Sequence, residues 1–304
     1  MTHPDLLTDY EKTLASKAES TAQMYLHILR HFIGWMAQLP GAEEQFAPDR
    51  LTRTAIEVYM EKLKAEQYSE SYRTLVKAAI SGFAQWLMAQ NQLHRNPTDG
   101  IRIAARPLMA PRVLSEDQRY VLRDLVERQH DLRGAAIFAL GYWAGCRVSD
   151  VSWLTVANTD LTARRGWLKV GYKGDKWRVI DLLNQARKPL YEYWHSENRQ
   201  KVNSPYMFLS QRGQRLTEAG IHHWLRTLKT QATKAEWEMI QDVSFHDLRH
   251  DFAHRARELG WTLEELAFYL GHITRQGLPA IQTTARYTQA SRESIKSKLK
   301  RFEK

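Results

Sequence analysis

The chain is poor in cysteine and has no long apolar run. Its 304 residues include one cysteine, Cys146, which excludes an intrachain disulfide and a cysteine-rich zinc framework. No apolar stretch is long enough to cross a bilayer, and the opening MTHPDLLTDYEK lacks the basic-then-apolar pattern of a signal peptide. Internal repeats and low-complexity tracts are also missing. We therefore expect a cytoplasmic protein with no membrane association.

Acidic residues are outnumbered by basic ones. The sequence has 44 lysines and arginines against 34 aspartates and glutamates, so its formal net charge is +10. An apolar content of 43% over this length is enough for two domains with packed cores. The positive excess favours a polyanionic partner, with nucleic acid first, although many basic proteins bind no DNA.

The first hundred residues have the apolar spacing of helices. Three segments carry it, each opening at a serine or threonine or close to one: residues 20–36, 51–65 and 69–90. Asn96-Pro97 is expected to end the third helix. The segment from residue 96 to residue 114 then holds three prolines and a glycine with no helical stripe, which is typical of a linker. We predict an all-α domain over residues 1–104 and a second domain over residues 105–304.

The second domain is predicted to be mainly α with a small β-sheet. Ser115 and Gln118 have the spacing of a capping box, and DLRGAAIFALGYWAG is apolar enough for a central core helix. In contrast, RGWLKVGYKGDKWRVIDL alternates apolar and polar residues on both sides of KGD. This pattern predicts a β-hairpin with Lys173 at its tip.

The stretch FHDLRHDFAHRA, residues 245–256, is rich in histidine and arginine. Ser244 and Asp247 are spaced to cap a helix there. At about 100° per residue, the apolar members share one arc, which predicts a core-facing surface: Phe245, Leu248, Phe252, Ala256 and Leu259. The cationic members share the opposite arc: His246, Arg249 and His250.

Three interpretations of this cationic cluster compete. HDLRH has the two-ligand spacing of a zinc helix, but Asp247 stands where that motif has glutamate, and Arg249 would place a fixed cation beside the metal. A solvated polar helix face is the plainest alternative. A phosphate site explains more, because helix N-termini favour anions, arginine binds phosphate oxygens in two-pronged fashion, and histidine carries protons near neutral pH.

With these residues in view, the chain resembles the tyrosine recombinase family, also called phage integrases, along nearly its whole length. The resemblance rests on five features in order: AGCRVSD, the predicted hairpin, HDLRH, LGH and ARYTQ. It implies six catalytic residues: Arg147, Lys173, His246, Arg249, His272 and Tyr287. Departures from the family pattern are Cys146 before the arginine, Asp150 in place of glutamate, and a long tract between His272 and Tyr287.

The resemblance implies a covalent mechanism without metal or cofactor. Tyr287 would attack a DNA phosphodiester and form a 3′-phosphotyrosine. His246 would accept the proton of the Tyr287 hydroxyl or orient that hydroxyl, and Lys173 would protonate the leaving 5′-oxygen. Composition and periodicity do not select Tyr287 among thirteen tyrosines. Tyr269 is the natural competitor, and its place on an apolar helix predicts a core role.

The remaining implied residues would hold the phosphate. Arg147 and Arg249 would bind its non-bridging oxygens, His272 would donate a further hydrogen bond, and His250 would support the site from behind. Asp150 would orient Arg147 or its neighbours.

The resemblance also implies that the chain binds DNA and further copies of itself, and two alternative functions stay open. The N-terminal domain would be a core-binding domain that clamps double-stranded DNA, and the tail after Tyr287 would join protomers into a tetramer. A type IB topoisomerase shares the chemistry but works as a monomer, and a non-catalytic DNA-binding protein would need none of the ordered set. The DNA site and any accessory proteins stay undetermined.

Overall fold

A computed structural model of the chain describes residues 3–17, 19–42, 45–104, 113–171, 177–274, 276 and 278–285. Contacts divide the chain into two compact units, residues 1–107 and 108–304. The predicted fold class, mainly α with a small β-sheet, is confirmed. Among the helices of these ranges, none is both long and apolar enough to cross a membrane.

The regular secondary structure in the described residues of the first unit is entirely helical. Its helices are α1 (His3–Thr13), α2 (Glu19–Ala37), α3 (Arg53–Ala65) and α4 (Glu70–Ala89). Phe32, Ile56 and Phe83 are fully buried between them. As predicted, the Ser69 hydroxyl caps α4 by accepting the Tyr72 N–H at 3.2 Å.

The predicted end of α4 at Asn96-Pro97 is wrong. The helix stops at Ala89, and Asn91 follows it in the left-handed conformation, with φ of 56°. Asparagine adopts this conformation more readily than most residues, which ends the helix before the proline is reached. Asn96 instead organises the next turn, where its side-chain oxygen accepts the Thr98 N–H at 3.0 Å.

The second unit combines ten helices of the described ranges with one sheet. In chain order the elements are α5 (Glu116–Gln129), α6 (Leu132–Tyr142), α7 (Val148–Ser152), β1 (Thr159–Leu161), β2 (Gly166–Val170), β3 (Arg178–Asp181), α8 (Asn184–Trp194), α9 (Glu197–Gln200), α10 (Glu218–Lys229), α11 (Lys234–Ile240), α12 (Phe245–Glu258), α13 (Leu263–Leu270) and α14 (Ile281–Ala285). Ala136, Ile137 and Leu140 of α6 are fully buried, and α6 packs against α8 and α12. The predictions of a central apolar helix and of the Ser115–Gln118 capping box are both confirmed.

The predicted hairpin is part of a three-stranded antiparallel sheet with the order β1-β2-β3. Lys169 pairs with Val179 and Leu168 pairs with Ile180. Alternation places Leu168 and Ile180 in the core, while Val179 lies on the open face. Lys173, the predicted tip residue, lies outside the described residues. The sheet matters for function because β3 begins with Arg178, which reaches the site described below.

Candidate active site

The site is built around the first turns of α12. The Ser244 hydroxyl accepts the Asp247 N–H at 3.3 Å, and the Asp247 carboxylate accepts the Ser244 N–H at 2.7 Å. This predicted capping box starts the helix at Phe245, whose ring is buried. Because the capping box fixes where the helix begins, His246 and Arg249 lie in its first turns, close to the positive end of the helix dipole.

Arg249 is completely buried, with 0% of its surface exposed. One guanidinium nitrogen, Nη1, donates to the Gly145 carbonyl at 2.5 Å, and the other, Nη2, donates to the Leu270 carbonyl at 2.7 Å. Nη2 also lies 3.1 Å from Nε2 of His272. Arg249 therefore joins the segment that carries Arg147 to the segment that carries His272.

These contacts bear on one alternative and one expectation for α12. A solvated polar face does not describe Arg249, because its guanidinium is buried against Leu270 and His272. The expectation that Leu259 lies in the core is wrong, because its side chain, just after the end of α12 at Glu258, is 82% exposed. Helical spacing indicates which residues share a face but not which element covers that face.

Gly145 shapes the turn that receives Arg249. Its φ of 60° lies in the left-handed region, and a Cβ there would come within 2.6 Å of the Phe252 ring. Glycine is thus required both for the backbone conformation and for close packing. The turn directs the Gly145 carbonyl toward Arg249 and leads directly into Cys146 and Arg147.

Arg147 is the N-cap residue of α7 and lies beside a buried carboxylate. Its backbone N–H donates to Asp150 Oδ2 at 2.8 Å, and the same oxygen accepts from Arg178 Nη2 at 2.5 Å. Burial alone would raise the pKa of Asp150, but the charge and hydrogen bond of Arg178 lower it below its usual value. Asp150 is therefore ionised and anchors both the Arg147 backbone and Arg178.

Arg178 is a site residue that sequence reasoning missed. Its guanidinium is nearly buried against Asp150 and packs against Gly271, where a Cβ would approach it within 2.9 Å. The positive charges of Arg178 and Arg249 both act on this carboxylate, and Arg147 contributes its backbone N–H. The site is thus cationic overall, which suits an anionic ligand. The sequence offers only a weak signal for this residue, a charged side chain at the start of the second strand of the predicted hairpin.

His272 follows Gly271 and is 4% exposed. Its Nδ1 lies 3.0 Å from the hydroxyl of Thr284, and its Nε2 faces Arg249. Burial and the charge of Arg249 lower its pKa to about 3, so the ring is neutral at neutral pH. Thr284 was also not identified from the sequence, where nothing distinguishes it from its neighbour Thr283.

His246 and His250 lie one helical turn apart, with ring centroids separated by 4.2 Å in an edge-to-face arrangement. Partial burial and the charges of Arg249 and Arg147 lower the pKa of His246. Burial and the adjacent His246 lower the pKa of His250 to about 4. Both rings are therefore neutral at pH 7 and able to accept a proton.

The zinc interpretation gains no third ligand in this region. Within the described residues, no group of three or more histidine, cysteine, aspartate or glutamate side chains is placed to hold a metal ion. Cys146 is buried, and burial raises the pKa of its thiol to about 12, so it behaves as a small apolar residue. Lys173 and Tyr287, the other two predicted site residues, lie outside the described residues.

Tyr269 has the core position that its apolar helix predicts. Its ring stacks on Phe252 at a centroid distance of 5.4 Å and meets Trp261 edge-on at 5.2 Å. Burial raises the pKa of its phenol above the ordinary value. A phenol that is harder to ionise and packed between two rings is poorly suited to attack a phosphate.

Comparison with known proteins identifies the family of the chain. The model of the phage integrase family matches residues 112–294, more than half of the chain. The tyrosine recombinase XerD of Listeria monocytogenes serotype 4b (strain F2365) is 27% identical over 98% of both chains. The tyrosine recombinase XerC of Herpetosiphon aurantiacus is 30% identical over 76% of this chain and 73% of its own.

Solved structures show the same fold. The Tn1549 transposon integrase in complex with transposon right end DNA superposes with a TM-score of 0.74 at 15% identity, over 100% of both chains. A lambda integrase tetramer bound to a Holliday junction gives 0.68 at 16% identity, over 96% of this chain and 80% of the other. Because the family model spans the segments that Arg249 joins, and the relatives align along most of the chain, this protein belongs to the phage integrase family and is a site-specific tyrosine recombinase.

Proposed function

We propose that the enzyme cuts and rejoins double-stranded DNA through a covalent 3′-phosphotyrosine intermediate, with Tyr287 as the nucleophile. One observation carries the proposal. Arg249 donates to Gly145 and Leu270 and contacts His272, so three segments that the resemblance assigns to one phosphate meet at hydrogen-bond distance. A buried polar cluster with net positive charge is suited to a phosphodiester.

The phosphate would be held by guanidinium groups. Arg147 lies at the start of α7, only partly buried, and would contact one non-bridging oxygen directly. Arg249 would supply charge beneath the phosphate and donate to it in exchange for its present contact with His272 Nε2. His272, once released, would donate to the same group. These donors would offset the charge that develops on the oxygens in the transition state.

The proton transfers would involve two side chains. The Tyr287 oxygen attacks phosphorus, its proton passes to neutral His246, and the bond from phosphorus to the 5′-oxygen breaks. Lys173 would donate a proton to that departing oxygen. His250 would support His246 from the next turn of α12. The number of phosphoester bonds is unchanged, so rejoining is the same step in reverse and needs no ATP.

The assembly on DNA is also part of the proposal. The lambda integrase relative was solved as a tetramer bound to a Holliday junction. By analogy, this chain would act as a tetramer on paired sites in the cytoplasm, with residues 1–104 as the core-binding domain and residues 105–304 as the catalytic domain.

Trapping on nicked suicide substrates tests the proposed chemistry. DNA flanking the gene would supply the candidate sites, and a denaturing gel would separate a protein–DNA adduct from free DNA. Peptide mapping of the adduct should identify Tyr287. DNA binding without any adduct would contradict the proposal and favour a non-catalytic DNA-binding protein.

Exchange between duplexes tests the recombinase assignment against a topoisomerase. Two differently labelled duplexes should yield a Holliday junction carrying both labels. Relaxation of supercoiled plasmid with no junction, by a monomer, would instead favour type IB topoisomerase activity.

Lys173→Ala should abolish cleavage of ordinary DNA yet cleave a substrate with sulfur in place of the bridging 5′-oxygen. A thiolate leaves without being protonated, so a missing general acid no longer matters. Gel-based single-turnover rates on both substrates measure this. Lys169→Ala is the matched control, because Lys169 is an exposed strand lysine near the Trp177 ring, and it should behave like wild type on both. Without sulfur rescue, Lys173 would be assigned to DNA contact.

Deleting residues 290–304 should spare binding to one half-site but weaken cooperative assembly on paired sites. This tail lies outside the described residues, and its sequence places Ile295, Leu299 and Phe302 on one apolar stripe too short to be a stable helix alone. Leu299→Asp should act like the deletion. Ser297→Asp changes the charge equally but lies off the stripe, so it should assemble normally. Gel-shift titration decides, and normal cooperativity in the Leu299 variant would contradict the role.

A further inference from the structure

Thr284 is fully buried on α14 and contacts the side of the His272 ring that faces away from Arg249. Its hydroxyl oxygen lies 3.0 Å from His272 Nδ1 and 3.3 Å from the carbonyl oxygen of Ala280. His272 Nε2 lies 3.1 Å from Arg249 Nη2. The imidazole thus lies between a guanidinium group, which faces Nε2, and a hydroxyl, which faces Nδ1.

These partners determine which nitrogen carries the proton. A guanidinium group can only donate, so Nε2 must accept and the single proton of the neutral ring is on Nδ1. That proton is donated to the Thr284 oxygen, and the Thr284 hydroxyl in turn donates to Ala280. In this arrangement Nε2 has no proton to offer a phosphate.

A hydroxyl group can support either tautomer because it both donates and accepts. If Thr284 turns its hydrogen from Ala280 to Nδ1, the ring can carry its proton on Nε2. One proton then leaves Nδ1 and one is taken up at Nε2 through solvent, so the charge of His272 does not change. Arg249 loses an acceptor in the same step and can donate to the phosphate instead.

We propose that Thr284 is a positioning residue for DNA cleavage, whose hydroxyl reverses its hydrogen bond to His272 so that Nε2–H donates to the scissile phosphate. The proposal rests on the proposed function, since it concerns the same phosphate. Ala280 and Thr284 both belong to the long tract after His272. Only two residues separate Thr284 from Tyr287 in the sequence, so the hydroxyl also ties the helix before the nucleophile to His272.

Two substitutions separate the hydroxyl from the shape of the side chain. Thr284→Val keeps the branched shape and the burial but removes the hydroxyl. It should bind half-site DNA with wild-type affinity and form the covalent adduct about tenfold to a hundredfold more slowly. This is less than the loss of a transition-state donor itself, because Thr284 acts through His272. Thr284→Ser should recover a rate within about threefold of wild type, because the hydrogen bond returns. Thr283→Val is the matched control at an exposed neighbour and should cleave normally.

Nitrogen-15 NMR of histidine-labelled enzyme reads the tautomer directly, with His272→Gln assigning the signal. Wild type should carry the His272 proton on Nδ1 when free and on Nε2 in a half-site complex of Tyr287→Phe, while the complex that also carries Thr284→Val should not show the change. The inference would be overturned by normal cleavage in Thr284→Val, or by a Thr284→Ser variant as slow as Thr284→Val. It would also be overturned if His272 keeps its proton on Nδ1 in the DNA complex of Tyr287→Phe with Thr284 intact. If Thr284-intact enzyme forms no adduct at all, the proposed function fails first, and the free-state tautomer still tests the hydrogen-bond assignment.

Discussion

Substituting Tyr287 with phenylalanine is expected to abolish covalent adduct formation while leaving DNA binding intact. Phenylalanine keeps the ring but removes the oxygen that would attack phosphorus, so the covalent bond to DNA cannot form. Trapping on a nicked suicide substrate measures the adduct, and a gel shift with the uncut half-site measures binding.

Tyr269→Phe is the control for this experiment. The Tyr269 ring lies between Phe252 and Trp261 in the core, and the substitution preserves both ring contacts. It should therefore form the adduct at close to the wild-type rate. An adduct that survives in Tyr287→Phe and disappears in Tyr269→Phe would reassign the nucleophile.

Arg249→Lys should slow cleavage at least about a hundredfold, equivalent to roughly 3 kcal/mol of transition-state stabilisation. Lysine keeps the positive charge but has a single ammonium group, which cannot serve Gly145, Leu270 and a phosphate oxygen together. Buried carbonyls left without donors should also lower the free energy of unfolding by about 1–3 kcal/mol. Single-turnover cleavage and urea denaturation measure the two effects.

Arg255→Lys separates stability from chemistry. Arg255 lies on the same helix and is largely buried, and its partners are the Asp251 carboxylate at 2.8 Å and the Tyr142 carbonyl. None of these partners belongs to the proposed site. Its lysine variant should lose stability yet cleave near the wild-type rate once folded. If both variants cleave equally well under stabilising conditions, Arg249 serves only the fold.

Sequence patterns correctly predicted the helix caps and two of the strands, which depend on residues close together in the chain. Helix caps at Ser69, Ser115 and Ser244 form as expected, because a side-chain oxygen and a backbone N–H three residues apart find each other within one turn. The alternation around KGD likewise predicted strands β2 and β3, since pleating places every second residue on the same face. Strand β1 was missed because three residues are too few to show a period.

The burial of Arg249 and the exposure of Leu259 required the tertiary structure. The helical arc was correct for Phe245 and Leu248, which are buried. It failed where a second element covers the polar face and where the helix ends. Neither α13's position over Arg249 nor the end of α12 at Glu258 is contained in the periodicity of one helix.

By itself, the sequence determined the fold class, the caps, the hairpin and, through resemblance, which six residues to test. Only the tertiary structure decided that Arg249 joins Gly145 to Leu270, that Asp150 holds Arg178, and that Thr284 contacts His272. The physical reason is distance along the chain. These partners lie between 12 and 104 residues apart, so their hydrogen bonds depend on how helices and strands pack, and no spacing rule of a single element reports them.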